Sequence, residues 1–395
     1  MIAILLNDAS FEQDIRELLM AFYPGETFTH KEEEAGEAEL IVRGVRDGNS
    51  FSLDVTPVKK EAVHFALIYP DFSNRFETKN EIKQTLYRLL SAQTGRELPW
   101  GTLTGIRPTK IALTKLYDGW TDEQIETKMR ETYFTSKEKI DLSIDVAERE
   151  RRLLSTIDYE NGYSLYVGIP FCPTTCLYCS FTSYPISKWK GRTGLYLEAL
   201  FKEMEYVADK MKGRPLDTIY FGGGTPTALP AEDIDAILTK LDQLFDTENA
   251  LEFTVEAGRP DSITEEKLRV LRDHGITRIS INPQTMNQKT LDLIGRRHTV
   301  EMVKEKFLMA RELGFDNINM DLILGLPGEL EADVQRTIEK IVELAPDSLT
   351  VHSLAIKRAS RLNQWIQENG VSMLHNTDET MKIAAAGAEK LGMKP

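Results

Sequence analysis

From Tyr163 onward, short apolar runs alternate with longer stretches in which apolar residues recur at helical spacing. The short runs Ser164–Ile169, Thr218–Phe221, Glu252–Val255, Arg278–Ile281, Asn317–Leu322 and Ser348–Ser353 read as strands. The stretches 193–212, 231–245, 264–274, 300–314 and 330–344 read as helices. Strands separated by helices predict a parallel sheet, either open or curled into a partial barrel. Right-handed crossovers put every helix on the outside of such a barrel. In folds of this class the chemistry collects at the C-terminal ends of the strands.

The first part of the chain has a different rhythm, up to about residue 155. Met1–Leu6 is a short apolar strand, and Phe11–Phe22 has helical spacing at Ile15, Leu18, Leu19 and Phe22. Glu39–Arg43 and Ser50–Val55 read as strands around a turn at Asp47-Gly48-Asn49. Glu81–Leu90 is helical, with Ile82, Leu86 and Leu89 on one face, and charged helices run from Thr109 to Leu154. The pattern predicts a separate α+β module, joined to the second at Asp158-Tyr-Glu-Asn-Gly162.

At 395 residues the chain is long enough for two cores, and 41% hydrophobic with 28% charged residues is the balance of an ordinary globular protein. The formal net charge of −14 argues against broad binding to nucleic acid or to an anionic membrane. No run of eighteen apolar residues occurs, so no spanning helix is expected. The N-terminus has no basic region and reads as a strand, not a signal peptide, so a cytoplasmic location is expected.

All three cysteines of the chain, Cys172, Cys176 and Cys179, lie in one run at C-x3-C-x2-C spacing. Three thiolates at this spacing can hold three irons of a four-iron cluster and leave the fourth open for chemistry. A structural zinc site would need a fourth ligand, and none of the six histidines lies within the run. A disulfide would leave one thiol over.

Further candidates follow the other strands. Phe221-Gly222-Gly223-Gly224-Thr225 is either a plain turn or a place where backbone approaches a ligand closely. Glu256 at the end of the third strand is either solvated or bonded to ribose hydroxyls. Gln284 follows the fourth strand. Arg296 and Arg297 are a solvated helix end or a carboxylate fork. Asp321, placed at the end of the fifth strand inside an apolar run, needs either a ligand or an internal salt bridge.

Together these segments resemble the radical S-adenosylmethionine (SAM) superfamily from about residue 163 to 355. The tokens YVGIPFCPTTCLYC, FGGGTPT, VEAG, INPQTM, LIGRRHT, MDLILGLPGE and VHSLAIKRASRLN are similar, in order and spacing, to the oxygen-independent coproporphyrinogen III oxidase family. The last token, the segment from Thr104 to Lys110 and the extra N-terminal module resemble its HemZ-type branch, the coproporphyrinogen dehydrogenases. The resemblance implies an α/β fold with three parts. These are an N-terminal α+β accessory domain at 1–160, a radical-SAM partial (β/α)6 barrel at 161–360, and at 361–395 the start of a truncated C-terminal HemN-like region. On this view the chain is a fragment.

The resemblance also implies roles. Cys172, Cys176 and Cys179 would ligate a [4Fe-4S] cluster, and Tyr166, Gly223 and Glu256 would contact the SAM that bridges the open iron. A second SAM site would use Tyr178, Gly224, Thr225, Gln284, Arg296, Asp321 and Ala355. The implied reaction is oxidative decarboxylation of two propionates of coproporphyrinogen III to vinyl groups, begun by a 5′-deoxyadenosyl radical and fed by a reductant such as flavodoxin or ferredoxin. Arg107, Lys110, Lys357, Arg358 and Arg361 are candidates for propionate contacts, each weighed against a solvated surface role.

Two positions depart from the oxidases, which carry Cys where this chain has Phe181 and His where it has Gly168. Phe at the first position is shared with the family's haem-chaperone branch. That branch carries a His-Asn-x-x-Tyr-Trp motif, and here His375-Asn376 is followed by Glu379-Thr380 instead.

Overall fold

The computed structural model describes residues 1–58, 63–105, 107–357, 360–369 and 377–394. The chain divides into two compact units, Met1–Thr156 and Ile157–Pro395.

The first unit carries a five-stranded sheet of β1 (Ile2–Leu6), β2 (Phe28–Thr29), β3 (Leu40–Asp47), β4 (Ser50–Pro57) and β5 (His64–Ile68), in the order β2-β1-β3-β4-β5. β1 runs parallel to β2 and β3, while β3, β4 and β5 form an antiparallel meander. β4 alternates as a half-buried strand must: Phe51, Leu53 and Val55 are fully buried and the residues between them are not. Those three share one core with α1 (Glu12–Phe22) and α2 (Arg75–Thr94). The buried face of α2 is Ile82, Leu86 and Leu90, and Leu89 is half-buried. The helix is longer than the pattern predicts because Asn74 caps it through the N–H groups of Phe76 and Glu77 and Gly95 ends it. The helices α3 (Thr109–Tyr117), α4 (Asp122–Tyr133) and α5 (Lys137–Leu154) bury a cluster of their own around Ile125, Met129 and Ile140. α4 begins with a capping box between Thr121 and Gln124.

The second unit opens with β6 (Tyr163–Ile169), followed by a small parallel pair, β7 (Phe171–Cys172) with β8 (Tyr184–Pro185). Then come α6 (Thr193–Lys210), β9 (Leu216–Gly223), α7 (Ala231–Leu244), β10 (Glu252–Glu256), α8 (Glu265–Asp273) and β11 (Arg278–Ser280). They continue as α9 (Gln288–Leu293), α10 (Val300–Glu312), β12 (Ile318–Leu324), α11 (Glu331–Leu344), β13 (Ser348–Ser353), α12 (Arg361–Asn369) and α13 (Thr377–Lys390). The main sheet runs β6-β9-β10-β11-β12-β13, every pair parallel and every neighbour the next barrel strand in sequence. This is the partial (β/α)6 barrel, its end strands β6 and β13 unpaired with each other among the described residues, packed on a core that includes Phe221, Phe307 and Phe315. Asp321 is a correction: β12 continues to Leu324, so this carboxylate stands in mid-strand. Among the described residues no helix is long and apolar enough to cross a membrane.

One surface clamp has a testable pH signature. His274, just past α8, meets two carboxylates of α7: Nδ1 lies 2.6 Å from Asp242 and Nε2 3.0 Å from Asp235. Burial pushes its pKa down, but the two aspartates outweigh this and hold it above the ordinary 6.5. A raised folded-state pKa stabilises the fold fully below the unfolded value and loses that contribution as pH rises through the folded value. His274→Gln is therefore expected to destabilise the protein more at about pH 6 than at about pH 9 in urea unfolding. An equal loss at both would rule out the charged clamp.

Candidate cluster and cofactor site

A cavity of about 720 Å³ opens at the C-terminal ends of the barrel strands. Its size is that of a cofactor or substrate site. Cys172, Cys176 and Cys179 line one wall, with Cys176 buried and the other two half-buried, and all three thiols are free. Burial pushes the Cys179 thiol up.

The loop that carries the cysteines is pinned by backbone at several points. The Gly224 N–H donates to Ile169 O at 2.6 Å and the Thr225 N–H to Phe171 O at 2.7 Å. Leu177 N–H donates to Ile294 O, and Leu362 N–H to Leu177 O, both at 2.9 Å. The glycine run is thus more than a turn. It lies so close to the root of the cysteine loop that a Cβ on Gly224 would come within 2.6 Å of Phe171 O. Thr225, almost fully buried, also aims its hydroxyl at Cys172 Sγ, 3.5 Å away.

Beside the glycines the rings of Tyr166 and Tyr220 stack, with centroids 5.9 Å apart and planes 10° apart. Tyr166 pairs with Tyr220 and Gly168 with Gly222 in the β6–β9 register. A Cβ on Gly168 would meet the Tyr166 ring at 3.0 Å, and one on Gly222 the Tyr220 ring at 2.6 Å. Gly168 and Gly222 thus leave room for this tyrosine pair. Tyr220 donates its hydroxyl to Glu256 Oε1 at 2.5 Å. Burial, and to a lesser degree the charge of Asp321, raises the Glu256 carboxyl above its usual value despite that bond. Burial and the same carboxylate also raise Tyr220.

Asp321 faces the cavity and forms no ion pair among the described residues. Instead its carboxylate accepts from Asn282 Nδ2 at 2.8 Å and Asn319 Nδ2 at 2.7 Å. Two amide donors satisfy the carboxylate without a counter-charge, which is why it can sit in mid-strand rather than form the internal salt bridge weighed for it. Gln284 adopts φ 66°, a left-handed conformation uncommon outside glycine, and its buried Oε1 has no protein partner.

Arg296 is also buried, whereas Arg297 is exposed. Arg296 donates to Asn282 O and lies against Tyr178 and Cys176, while its Nε has no protein partner. Burial drives the Tyr178 hydroxyl up strongly. Ala355 and Lys357 complete the rim with His352. Of the other basic candidates, Arg361 donates to Thr175 O, and Arg107 and Lys110 belong to the first unit, where Arg107 pairs with Glu150 at 3.4 Å. Arg358, His375 and Asn376 lie outside the described residues.

The sequence reading missed Arg259 as well as Tyr220, Asn282 and His352. Arg259 is buried beside the cysteine loop, lines the same cavity, and grips Asp261 with two bonds, Nε to Oδ1 at 2.8 Å and Nη2 to Oδ2 at 2.6 Å. Burial pushes the Asp261 carboxyl up, but the guanidinium more than reverses this and holds it below its ordinary value.

Three thiols, with the buried Gln284 Oε1 and Arg296 Nε unpaired on the same cavity, are a donor set that fits a polynuclear cluster with a polar ligand beside it.

Residues 166–341 match the model of the radical SAM superfamily. The chain is 41% identical to the oxygen-independent coproporphyrinogen-III oxidase-like protein HemZ of Bacillus subtilis, over 86% of this chain and 69% of that protein. The chain belongs to the radical SAM superfamily. Members of this superfamily bind a [4Fe-4S] cluster and SAM, and these are the cofactors of this radical SAM chain. It is also 37% identical to the heme chaperone HemW of Bacillus subtilis, over 49% of this chain and 51% of that protein. It is 33% identical to the oxygen-independent coproporphyrinogen III oxidase of Escherichia coli, over 50% of this chain and 42% of that protein. The chain thus spans about half the length of these last two relatives. The solved structure of the Escherichia coli oxidase HemN is similar at 29% identity and a TM-score of 0.47, covering 56% of each chain.

Proposed function

We propose that this radical SAM chain is the catalytic part of a tetrapyrrole-modifying enzyme that converts two propionates of coproporphyrinogen III to vinyl groups. The observation that carries the reading is that the three cysteines and all the residues named for SAM contact line one cavity, in a chain 41% identical to a coproporphyrinogen-III oxidase-like protein. Cys172, Cys176 and Cys179 would hold the cluster. Tyr166, Gly223 and Glu256 would hold the SAM that meets it. Tyr178, Gly224, Thr225, Gln284, Arg296, Asp321 and Ala355 would hold a second SAM.

When bound, the reduced cluster and SAM supply one-electron cleavage of the sulfonium C–S bond, and with it the power to remove hydrogen from an unactivated carbon. The protein's own part is to bind, orient and shield. Glu256, oriented by Tyr220, can accept from two ribose hydroxyls. The unpaired Nε of Arg296 and Oε1 of Gln284 offer one donor and one acceptor to an amino-acid head group. Lys357 and His352 at the rim can meet a propionate carboxylate. Each propionate gives up one hydrogen atom, carbon dioxide and one electron, so a reductant starts the reaction and a separate acceptor takes the last electron.

Anaerobic reconstitution with iron, sulfide, SAM, a reductant and an electron acceptor tests the proposal. Protoporphyrinogen and 5′-deoxyadenosine should form together from coproporphyrinogen III. Deoxyadenosine without any vinyl product would remove the substrate assignment and leave the radical chemistry.

One observation favours a second reading, haem carriage. Phe181 stands where the oxidases carry Cys, is 78% exposed, and lines the cavity beside Cys179. A haem chaperone would bind haem stoichiometrically, with a Soret band on titration. The decarboxylase reading expects none.

A further inference from the structure

The roles proposed above leave out Arg259, which is 2% exposed on the cavity beside the cysteine loop. Two of its nitrogens are used by Asp261. The third, Nη1, points the other way, toward the loop. It lies 3.1 Å from Thr174 Oγ1, 3.3 Å from Thr174 O and 3.7 Å from Cys176 Sγ. A guanidinium is rigid and planar, so the bidentate grip on Asp261 fixes where the remaining N–H groups point. The aspartate is itself rooted in the short helical turn at Pro260–Ser262, one residue beyond the arginine. Arg259 is thus clamped from one side and delivers a charge-assisted donor to one sulfur on the other.

The three sulfurs are not treated alike. Cys172 Sγ receives the neutral hydroxyl of Thr225 at 3.5 Å. Cys179 accepts the backbone N–H of Phe181. Cys176, the most buried of the three, faces the guanidinium of Arg259 and lies beside that of Arg296. Hydrogen bonds to ligand sulfurs and nearby charge are among the quantities that set the potential of an iron–sulfur cluster. In a buried site a fixed positive charge favours the state that carries one more electron.

We propose that Arg259, held by Asp261, is a positioning residue that raises the cluster's reduction potential through Cys176. The proposal rests on the reading that Cys176 is a cluster ligand. It makes a signed prediction for two partners of one ion pair. Removing the guanidinium should make the cluster harder to reduce. Removing only the counter-charge, with the guanidinium retained, should make it easier.

The test is an anaerobic redox titration, followed by electron paramagnetic resonance, of the reconstituted full chain and of Arg259→Gln, Arg259→Lys and Asp261→Asn. Iron and sulfide per chain serve as the loading control. The midpoint should move negative in Arg259→Gln, move positive in Asp261→Asn, and stay nearest the unsubstituted value in Arg259→Lys. If Arg259→Gln retains no iron, the positive shift in Asp261→Asn still decides. Equal midpoints in loaded variants, or shifts of the same sign, would overturn the proposal and leave Arg259 a structural brace. An unsubstituted chain that takes up no cluster would instead overturn the ligand reading beneath it.

Discussion

Replacing Cys176 by alanine is expected to abolish the iron–sulfur absorbance of the reconstituted protein and reduce SAM cleavage to background, while the fold survives. Hydrogen-bond partners of a metal ligand are typically worth roughly 10–100-fold in metal affinity or activity, so loss of the ligand itself must exceed that. No other cysteine can substitute, because the chain has only three. The cost to stability is small by comparison. Deleting one buried sulfur removes little apolar surface, and a cavity of that size costs on the order of 1 kcal/mol. Circular dichroism and a urea midpoint close to those of the unsubstituted chain are therefore expected alongside a colourless protein. Retained SAM cleavage would contradict the ligand assignment.

Gly224→Ala is expected to do similar damage by a different route. The substitution adds one methyl group, with no change of charge or donor set. That methyl would lie 2.6 Å from Phe171 O and 2.9 Å from Ile169 O, distances that real Cβ atoms do not tolerate. Both neighbours are backbone, so no side chain can swing aside. Relief requires β9 to withdraw from the residues leading into Cys172, which breaks the bonds from Gly224 N–H to Ile169 O and Thr225 N–H to Phe171 O. Forced overpacking costs about 1–3 kcal/mol, and each lost backbone bond adds about 1 kcal/mol. The consequence for cofactor loading is larger than for stability, because the displaced segment carries the first cysteine. Iron per chain after reconstitution should fall well below that of the unsubstituted protein, and thermal unfolding should move to lower temperature. Full iron loading would show that the close approach is not what seats the loop.

The parallel sheet was legible because its strands are short apolar runs bounded by helical stretches, and the consecutive strand order β6-β9-β10-β11-β12-β13 is what decides for the partial barrel over an open sheet. β5 was not read, for a physical reason. It is an edge strand whose outward residues Phe65 and Leu67 are apolar yet 60% and 47% exposed, so the alternation that marks β4 is missing from it. Asp321 falls near a strand end on the sequence pattern because that pattern stops the strand at Leu322, two residues short of the end of β12. The two asparagine amides that permit it in mid-strand come from Asn319 on its own strand and from Asn282, 39 residues away.

The same limit governed the site. The cysteines and the residues named for SAM contact gather on one cavity, since most of them lie at or just beyond strand ends and the barrel brings those ends together, with Tyr166 and Asp321 joining from within β6 and β12. Tyr220 and Arg259 were passed over because nothing local distinguishes them. A tyrosine in a strand is ordinary packing, and an arginine two residues before an aspartate reads as a surface pair. Only the fold brings Arg259 within reach of a sulfur 83 residues earlier in the chain. Gly168 and Gly222 held a partial clue, each two residues after a tyrosine, so that ring and missing side chain fall on the same strand face.

Mössbauer spectroscopy of the anaerobically reconstituted protein, enriched in a single iron isotope and recorded with and without SAM, tests the central claim most directly. With cysteine ligands to only three irons, one iron of the four should change its signal when SAM is added, and the other three should not. Four irons that remain alike on addition of SAM, or a preparation that holds zinc at these thiols, would contradict the account.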